Sequence, residues 1–371
     1  MIQCHTIYLG IIAFLIIIVV FTSAKAIRAQ RIMSDIENDI RSNIRSSMPR
    51  KNKESLRNLT AEDILKPRTF DQYKKEIDSM IDRAATLEEF GKKTQLAEAC
   101  KKALIGGKRL RSIILLEVAR ATSIVKEDLM PVDAGEVALF IEYLHTASLI
   151  IDDLPAFDND SVRRGRPTLH VEMGPAIAQM AALSFIAGAF QNVCRQLDWI
   201  RDNCPEIKNV DRIGTRIVNE VSHAIGAMGA AGGQYMDVSS IEHIEKEHGP
   251  DAISDIIYRK TATFFEIATV VGWIIAGGNS ENISVLRDIG RQIGIAFQIA
   301  DDIGDMEQDT LRGTQGKPSW NFANEYGKDV ALREVERNLK GARYLLKQID
   351  CWTPLWDEIY VQVRKMTEST D

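Results

Sequence analysis

The chain has 371 residues, enough for one large domain or two ordinary ones, and its 45% hydrophobic and 26% charged content matches a globular core. A net charge of −6 gives no basis for nucleic-acid binding. The five cysteines, Cys4, Cys100, Cys194, Cys204 and Cys351, lack CxxC spacing, which argues against zinc and for reduced structural thiols.

The N-terminus differs in kind. Thr6 to Ala24 carries no charge; as a helix it would span ~28 Å, close to the hydrocarbon thickness of a bilayer. Lys25, Arg28, Arg31 and Arg41 follow it. The positive-inside rule then predicts an uncleaved single-pass anchor at 1–24, with the bulk of the chain in the cytoplasm. A signal peptide is the rival, disfavoured by the missing basic n-region. Residues 25–66 read as a polar linker in which Arg50-Lys51-Asn52-Lys53 lies near the membrane.

Beyond Phe70 the pattern turns helical. Phe70, Tyr73, Ile77 and Ile81 recur at helical spacing, and periodic apolar runs follow at 98–120, 133–152, 175–198, 211–230, 251–277 and 283–306. Sustained alternation with period two is absent. The prediction is an all-α fold: a large single-domain helical bundle around a central cavity at 67–366, a short tail at 367–371, and the N-terminal transmembrane helix.

Two aspartate clusters close apolar runs. Asp152-Asp153-Leu-Pro-Ala-Phe-Asp158 follows the run ending at Ile151, and Pro155 interrupts that helix. Asp158 is out of phase with Asp152 on a straight helix, so a bulge must bring them together. Gln298, Asp301, Asp302 and Asp305 lie at i, i+3, i+4 and i+7, on one helix face. Carboxylates so crowded call for a cation, and Mg²⁺ suits oxygen ligands that bridge to substrate phosphates. A solvated acidic face is the plainer alternative, weakened by the apolar stretch Ile293 to Ala300. Basic groups complete the set. Arg163-Arg164-Gly165-Arg166 offers guanidinium forks beside a sharp turn. Gly106-Gly107-Lys108-Arg109-Leu110-Arg111 suits a phosphate at a helix start. Lys260-Thr261 and Lys317 are further donors.

In this order, the motifs resemble those of the trans-isoprenyl diphosphate synthases, the trans-prenyltransferase (polyprenyl synthetase) family. The resemblance covers roughly 67–366 and rests on Gly106 to Arg111, Asp152 to Asp158 with Arg163-Arg164-Gly165, Gly233-Gln234-Tyr235-Met236-Asp237, Lys260-Thr261, and Phe297 to Asp305. The four residues between Asp153 and Asp158 are similar to the spacing in geranylgeranyl diphosphate synthases of plants and farnesyl diphosphate synthases of bacteria.

The resemblance implies Mg²⁺-dependent head-to-tail condensation of isopentenyl diphosphate with an allylic diphosphate (dimethylallyl, geranyl or farnesyl). It implies three Mg²⁺ per active site on Asp152, Asp153, Asp158, Asp301 and Asp305, with Asp302 in support. Arg163, Lys260 and Lys317 would bind the departing diphosphate. Gly107, Lys108, Arg111, His145 and Arg164 would hold isopentenyl diphosphate, and Thr261 and Gln298 would position the reacting groups. Ala147 and Ser148, roughly 5–8 Å below Asp152, would form the tunnel floor. In farnesyl-producing relatives a bulky aromatic residue near this level stops growth. Small residues here imply a product of C20 or longer, geranylgeranyl diphosphate above all. A homodimer is implied as well.

Departures from the family pattern are Ile151 in place of a histidine, Ser112 in place of a proline, and a shortened segment after Asp305. The alternatives are a farnesyl diphosphate synthase, a terpene cyclase, which would not need Lys108, Arg111, His145 and Arg164, and a non-catalytic regulatory subunit, which would typically have lost one aspartate cluster.

Overall fold

The computed structural model describes residues 59–86, 90, 94–125, 132–314 and 320–368. The anchor expected at 1–24, most of the linker, and Lys317 lie outside the described residues.

The first helices are α1 (Ala61–Leu65), α2 (Phe70–Thr86), α3 (Gln95–Ala103), α4 (Leu110–Val125) and α5 (Gly135–Asp153). The strands β1 (Val162–Arg163) and β2 (Arg166–Pro167) form an antiparallel pair. Then come α6 (Leu169–Met173), α7 (Pro175–Asn203), α8 (Val210–Ile225), α9 (Ala230–Val238), α10 (Ile241–His248) and α11 (Ala252–Ile256). A π-helical turn at Ile257–Ala262 leads into α12 (Thr263–Ile275). The chain closes with α13 (Ile283–Gly304), α14 (Met306–Thr314), α15 (Phe322–Tyr326), α16 (Lys328–Gln348) and α17 (Leu355–Glu368).

Helix α12 is the centre. Every residue from Thr263 to Ile275 is buried, as expected for a helix apolar on all sides. It packs against α4 and α13, while α13 also meets α16 and α17. On the other flank α5 packs along α7. Helix α7 is long and apolar enough to cross a membrane by length and composition, yet its inner face, including Phe185 and Val193, is buried in the core.

The described residues are mostly helical, as the all-α reading expects, and three local details differ from the sequence pattern. The run at 98–120 is broken by Gly106 and Gly107, both at positive φ, a conformation that interrupts a helix. The β1–β2 hairpin departs from an all-α fold: Arg164 (φ 55°) and Gly165 (φ 69°) make a two-residue turn with both φ positive, the twist that joins antiparallel strands. Helix α1 falls inside the expected linker. Its Ile64 is 6% exposed, and Arg120 donates to Leu65 O at 3.2 Å.

Candidate active site

The first wall is built at the C-terminal end of α5. Leu154, preceding Pro155, takes an extended ψ of 151°, as a residue before proline prefers. The chain then folds back, and the Asp158 N–H donates to Asp152 O at 2.9 Å. This is the bulge that the spacing requires. Asp153 is buried and accepts from Arg163 Nε at 2.5 Å, with Asp160 3.6 Å from the same guanidinium. The hairpin therefore delivers Arg163 back to the helix end.

Lys260 faces this wall from the π-helical turn. Its Nζ lies 2.7 Å from Asp237 Oδ2 and 3.7 Å from Asp152 Oδ2. Helix α9 reaches it through Gly233, where a Cβ would come within 2.4 Å of Lys260 N. Burial opposes the charge on Lys260, but Asp237, Asp152 and Asp158 outweigh it and raise the pKa. Burial pushes Asp152 up to about 7; Lys260 opposes this, and Asp158 and Asp237 add repulsion.

The second wall is the end of α13. Asp302 is buried and locked in place: it accepts from Gln298 Nε2 at 2.8 Å and from the Phe322 N–H at 2.9 Å. Gln298 in turn accepts from Thr261 Oγ1 at 2.7 Å, joining this wall to the residue after Lys260. Asn321 Nδ2 donates to Asp302 O at 2.7 Å and Asp309 Oδ2 at 2.8 Å. Burial raises Asp302 to about 7, with Gln298 and Phe322 N–H opposing, and Asp301 and Asp309 reinforcing the shift. Asp301 is half-buried and Asp305 exposed. Asp301 is also shifted upward by burial, opposed by Lys108 and Arg111. Arg163 lies within electrostatic reach of both Asp152 and Asp301, so the two clusters share one field.

A cationic corner lies at the start of α4. Arg111 stacks over Phe265 at 4.5 Å and Phe297 at 5.5 Å, and its NH1 lies 3.3 Å from His145 Nε2. Its Nε is buried without a hydrogen-bond partner among the described residues. Burial lowers Arg111 to about 10, while Glu142 and Asp301 counteract this. His145 is held well below its ordinary range by burial and by Arg111, hence neutral. Lys108 sits over Phe297 at 5.5 Å. Arg164 donates to Gly106 O at 3.1 Å, and its guanidinium lies 3.0 Å from where a Cβ on Gly107 would sit. Arg109 points elsewhere. It is buried against Asp78 at 2.8 Å, Glu142 at 3.0 Å and Leu104 O at 2.7 Å. Ser112 lies 2.8 Å from Ala138 O and Glu142 Oε1, so the serine that replaces the family's proline braces the same network.

A family model described as polyprenyl synthetase matches residues 93–325. The chain belongs to the polyprenyl synthetase family. The trans-prenyltransferase of African swine fever virus (isolate Tick/South Africa/Pretoriuskop Pr4/1996) is 36% identical over 299 residues, covering 81% of this chain and 84% of the viral protein. Farnesyl diphosphate synthase of Bacillus subtilis (strain 168) is 32% identical over 276 residues, 72% of this chain and 86% of that one. The apo crystal structure of an FPP/GFPP synthase from Zymomonas mobilis aligns with a TM-score of 0.63 at 26% identity, covering 80% of this chain and 98% of that one.

Within this family member, no group of three or more His, Cys, Asp or Glu side chains among the described residues is gathered closely enough to hold a metal ion. The donor chemistry nevertheless fits a hard divalent cation: carboxylate oxygens in mutual repulsion, two of them raised to about 7. Residues that sequence reasoning left out are Asp237, the partner of Lys260, and the pair Asn321 and Asp309 that braces Asp302. Asp237 lay inside a quoted motif. Asn321 and Asp309 carry no signal in spacing, because their pairing forms across the end of α13. Ala147 is 2% exposed and closed in the core. Ser148, one helical turn from Asp152, is half-buried, and its hydroxyl donates to His145 O at 2.9 Å.

Proposed function

We propose that this prenyltransferase condenses isopentenyl diphosphate with an allylic diphosphate to give a C20 or longer prenyl diphosphate, geranylgeranyl diphosphate foremost. The observation that carries the reading is the chain of contacts between the two walls: Lys260 lies 3.7 Å from Asp152, and its neighbour Thr261 bonds Gln298, which in turn holds Asp302. Two acidic walls set against three cationic groups, Arg163, Lys260 and Lys108, suit a diphosphate shared between them.

Asp152, Asp153, Asp158, Asp301 and Asp305 are the residues that would hold Mg²⁺. When bound, Mg²⁺ neutralises charge on the departing diphosphate as a Lewis acid. Arg163 and Lys260 donate to that leaving group, the charge-assisted bonding that stabilises a developing anion; Lys317 is proposed to join them. Loss of diphosphate leaves an allylic cation. The double bond of isopentenyl diphosphate attacks it, forming the new C–C bond, and a proton leaves the adjacent carbon for the released diphosphate. Arg111, Lys108, Arg164, Gly107 and His145 hold the attacking substrate. The unpaired Arg111 Nε is a buried donor awaiting an acceptor. Neutral His145 can bond a phosphate oxygen only as a donor through one nitrogen. Thr261 and Gln298 keep the two walls in register.

The product length rests on Ser148, small and on the face of Asp152, with Ala147 behind it. A farnesyl product is the second reading, since the Bacillus relative bears that name. We also propose a homodimer, supported by exposed Met180 and Leu183 on α7 (48% and 50%), and a membrane tether at 1–24 with the enzyme on the cytoplasmic side. The test is full-length protein with Mg²⁺, labelled isopentenyl diphosphate and farnesyl diphosphate. Longer prenyl diphosphates support the proposal. Hydrocarbons would indicate a cyclase, and no turnover a regulatory subunit. Turnover that survives alanine at both Asp152 and Asp301 would refute the mechanism.

A further inference from the structure

A cavity of about 370 Å³ lies beside α5, on the face next to the one that carries Asp152, His145 and Ser148. Thr146, Leu149, Ile150 and Asp153 line it, the i, i+3, i+4, i+7 row of that helix. Its other walls come from α3, the β1–β2 hairpin and α6. The volume falls in the range of small-molecule sites. Four cations border it, Lys102, Arg163, Arg164 and Arg166, against two carboxylates, Asp153 and Glu172.

The carboxylates are already engaged. Asp153 takes Arg163, and Glu172 takes Lys102, which also reaches Glu98 at 3.3 Å. Among the described residues Arg164 donates to a carbonyl, Gly106 O, and forms no ion pair. Arg166 forms no ion pair among the described residues. The surplus positive charge is therefore concentrated on the hairpin. The opposite lining is apolar: Ala103, Ile105, Leu149 and Leu169. Ile105 is 47% exposed, so part of this apolar surface faces water.

We propose that this cavity is a second ligand site, adjoining the catalytic one and bordered by Asp153, Arg163 and Arg164 of it, that takes a phosphate monoester carrying a short apolar tail. The phosphate would sit against Arg166, whose forked guanidinium matches its oxygens, and Lys102. The tail would cover Ile105 and Leu149. An anion there competes with Asp153 for Arg163, so occupancy slackens the contact that ties the hairpin to the first wall. That consequence rests on the catalytic reading above; the binding itself does not.

The experiment uses the full-length chain with decyl phosphate as probe, titrated calorimetrically in EDTA and saturating isopentenyl diphosphate, so that metal-dependent binding is absent and the cationic corner is filled. Expected is one site per chain, binding at least about tenfold more tightly than inorganic phosphate, because burying the tail adds apolar contact. Lys102→Ala/Arg166→Ala should weaken it at least about tenfold, and Leu149→Trp, which fills the cavity, should do the same. In turnover assays decyl phosphate should inhibit the parent and leave the Lys102→Ala/Arg166→Ala variant unaffected. Absence of a site, or a site unchanged in both variants, overturns the proposal. If the protein proves to have no turnover, the calorimetric result still decides.

Discussion

The approach of α9 to the π-helical turn gives the sharpest mutational test. Replacing Gly233 with alanine places a Cβ 2.4 Å from Lys260 N, 2.8 Å from its Cα and 2.9 Å from Arg259 C. All three atoms are backbone, so no rotamer change relieves the clash. Restoring ordinary contact needs a displacement of roughly 1 Å between the two segments. Overpacking costs about 1–3 kcal/mol, while alanine gains about 1 kcal/mol over glycine inside a helix. The net loss of stability is then about 0–2 kcal/mol, and the variant should fold. Catalysis should suffer more, because Lys260 moves relative to Asp237 and Asp152, and a misplacement of about 1 Å can cost roughly 10²-fold in rate. The KM for isopentenyl diphosphate should stay near the parent value, since Arg111 and Lys108 belong to other elements. Denaturant unfolding combined with steady-state kinetics measures both effects. A folded Gly233→Ala protein with kcat within about twofold of the parent would show that the Lys260 position is not set by this contact.

Asn321→Ala removes the donor to Asp302 O and Asp309 together with the cap on Asn324 N at 2.9 Å; about 2–3 kcal/mol of stability should be lost, with kcat falling more than the KM for isopentenyl diphosphate rises. Ser148→Phe should shorten the product by at least one isoprene unit while turnover persists, read by chromatography of the dephosphorylated products; an unchanged product would remove Ser148 from the floor. The pH response follows from Asp152 and Asp302, both raised from 3.8 to about 7. In that window the native state holds protons that the unfolded chain has released, so stability of the metal-free protein falls as pH rises from about 4 to about 7. Mg²⁺ should raise the melting temperature more at about pH 7.5 than at about pH 5.5, because its carboxylate ligands must be deprotonated; equal shifts at both would contradict the assignment.

Much of this molecule can be read from its linear pattern. Apolar periodicity locates α5, α7 and α13 because a helix that faces a core must repeat its buried residues every three to four positions. The acidic and basic residues of the site are legible for a related reason: like charges so close together in sequence demand a partner, and Gln298, Asp301 and Asp302 share a face by spacing alone. Gly165 likewise announces a sharp turn, though not that two strands flank it.

Tertiary structure decided the rest. Arg109 and Arg111 are two residues apart in one basic motif, yet Arg109 is consumed by Asp78 and Glu142, while Arg111 lies over Phe265 beside His145. No local rule separates them; the positions of α2 and α5 do. Asp237 comes to Lys260 only because Gly233 lets two backbones touch. Asp302 is held by Phe322 and Asn321, about twenty residues on. Sequence fixes which groups must be neutralised, since charge and periodicity are local properties. Which partner neutralises each depends on packing between distant segments, and that is a property of the folded chain.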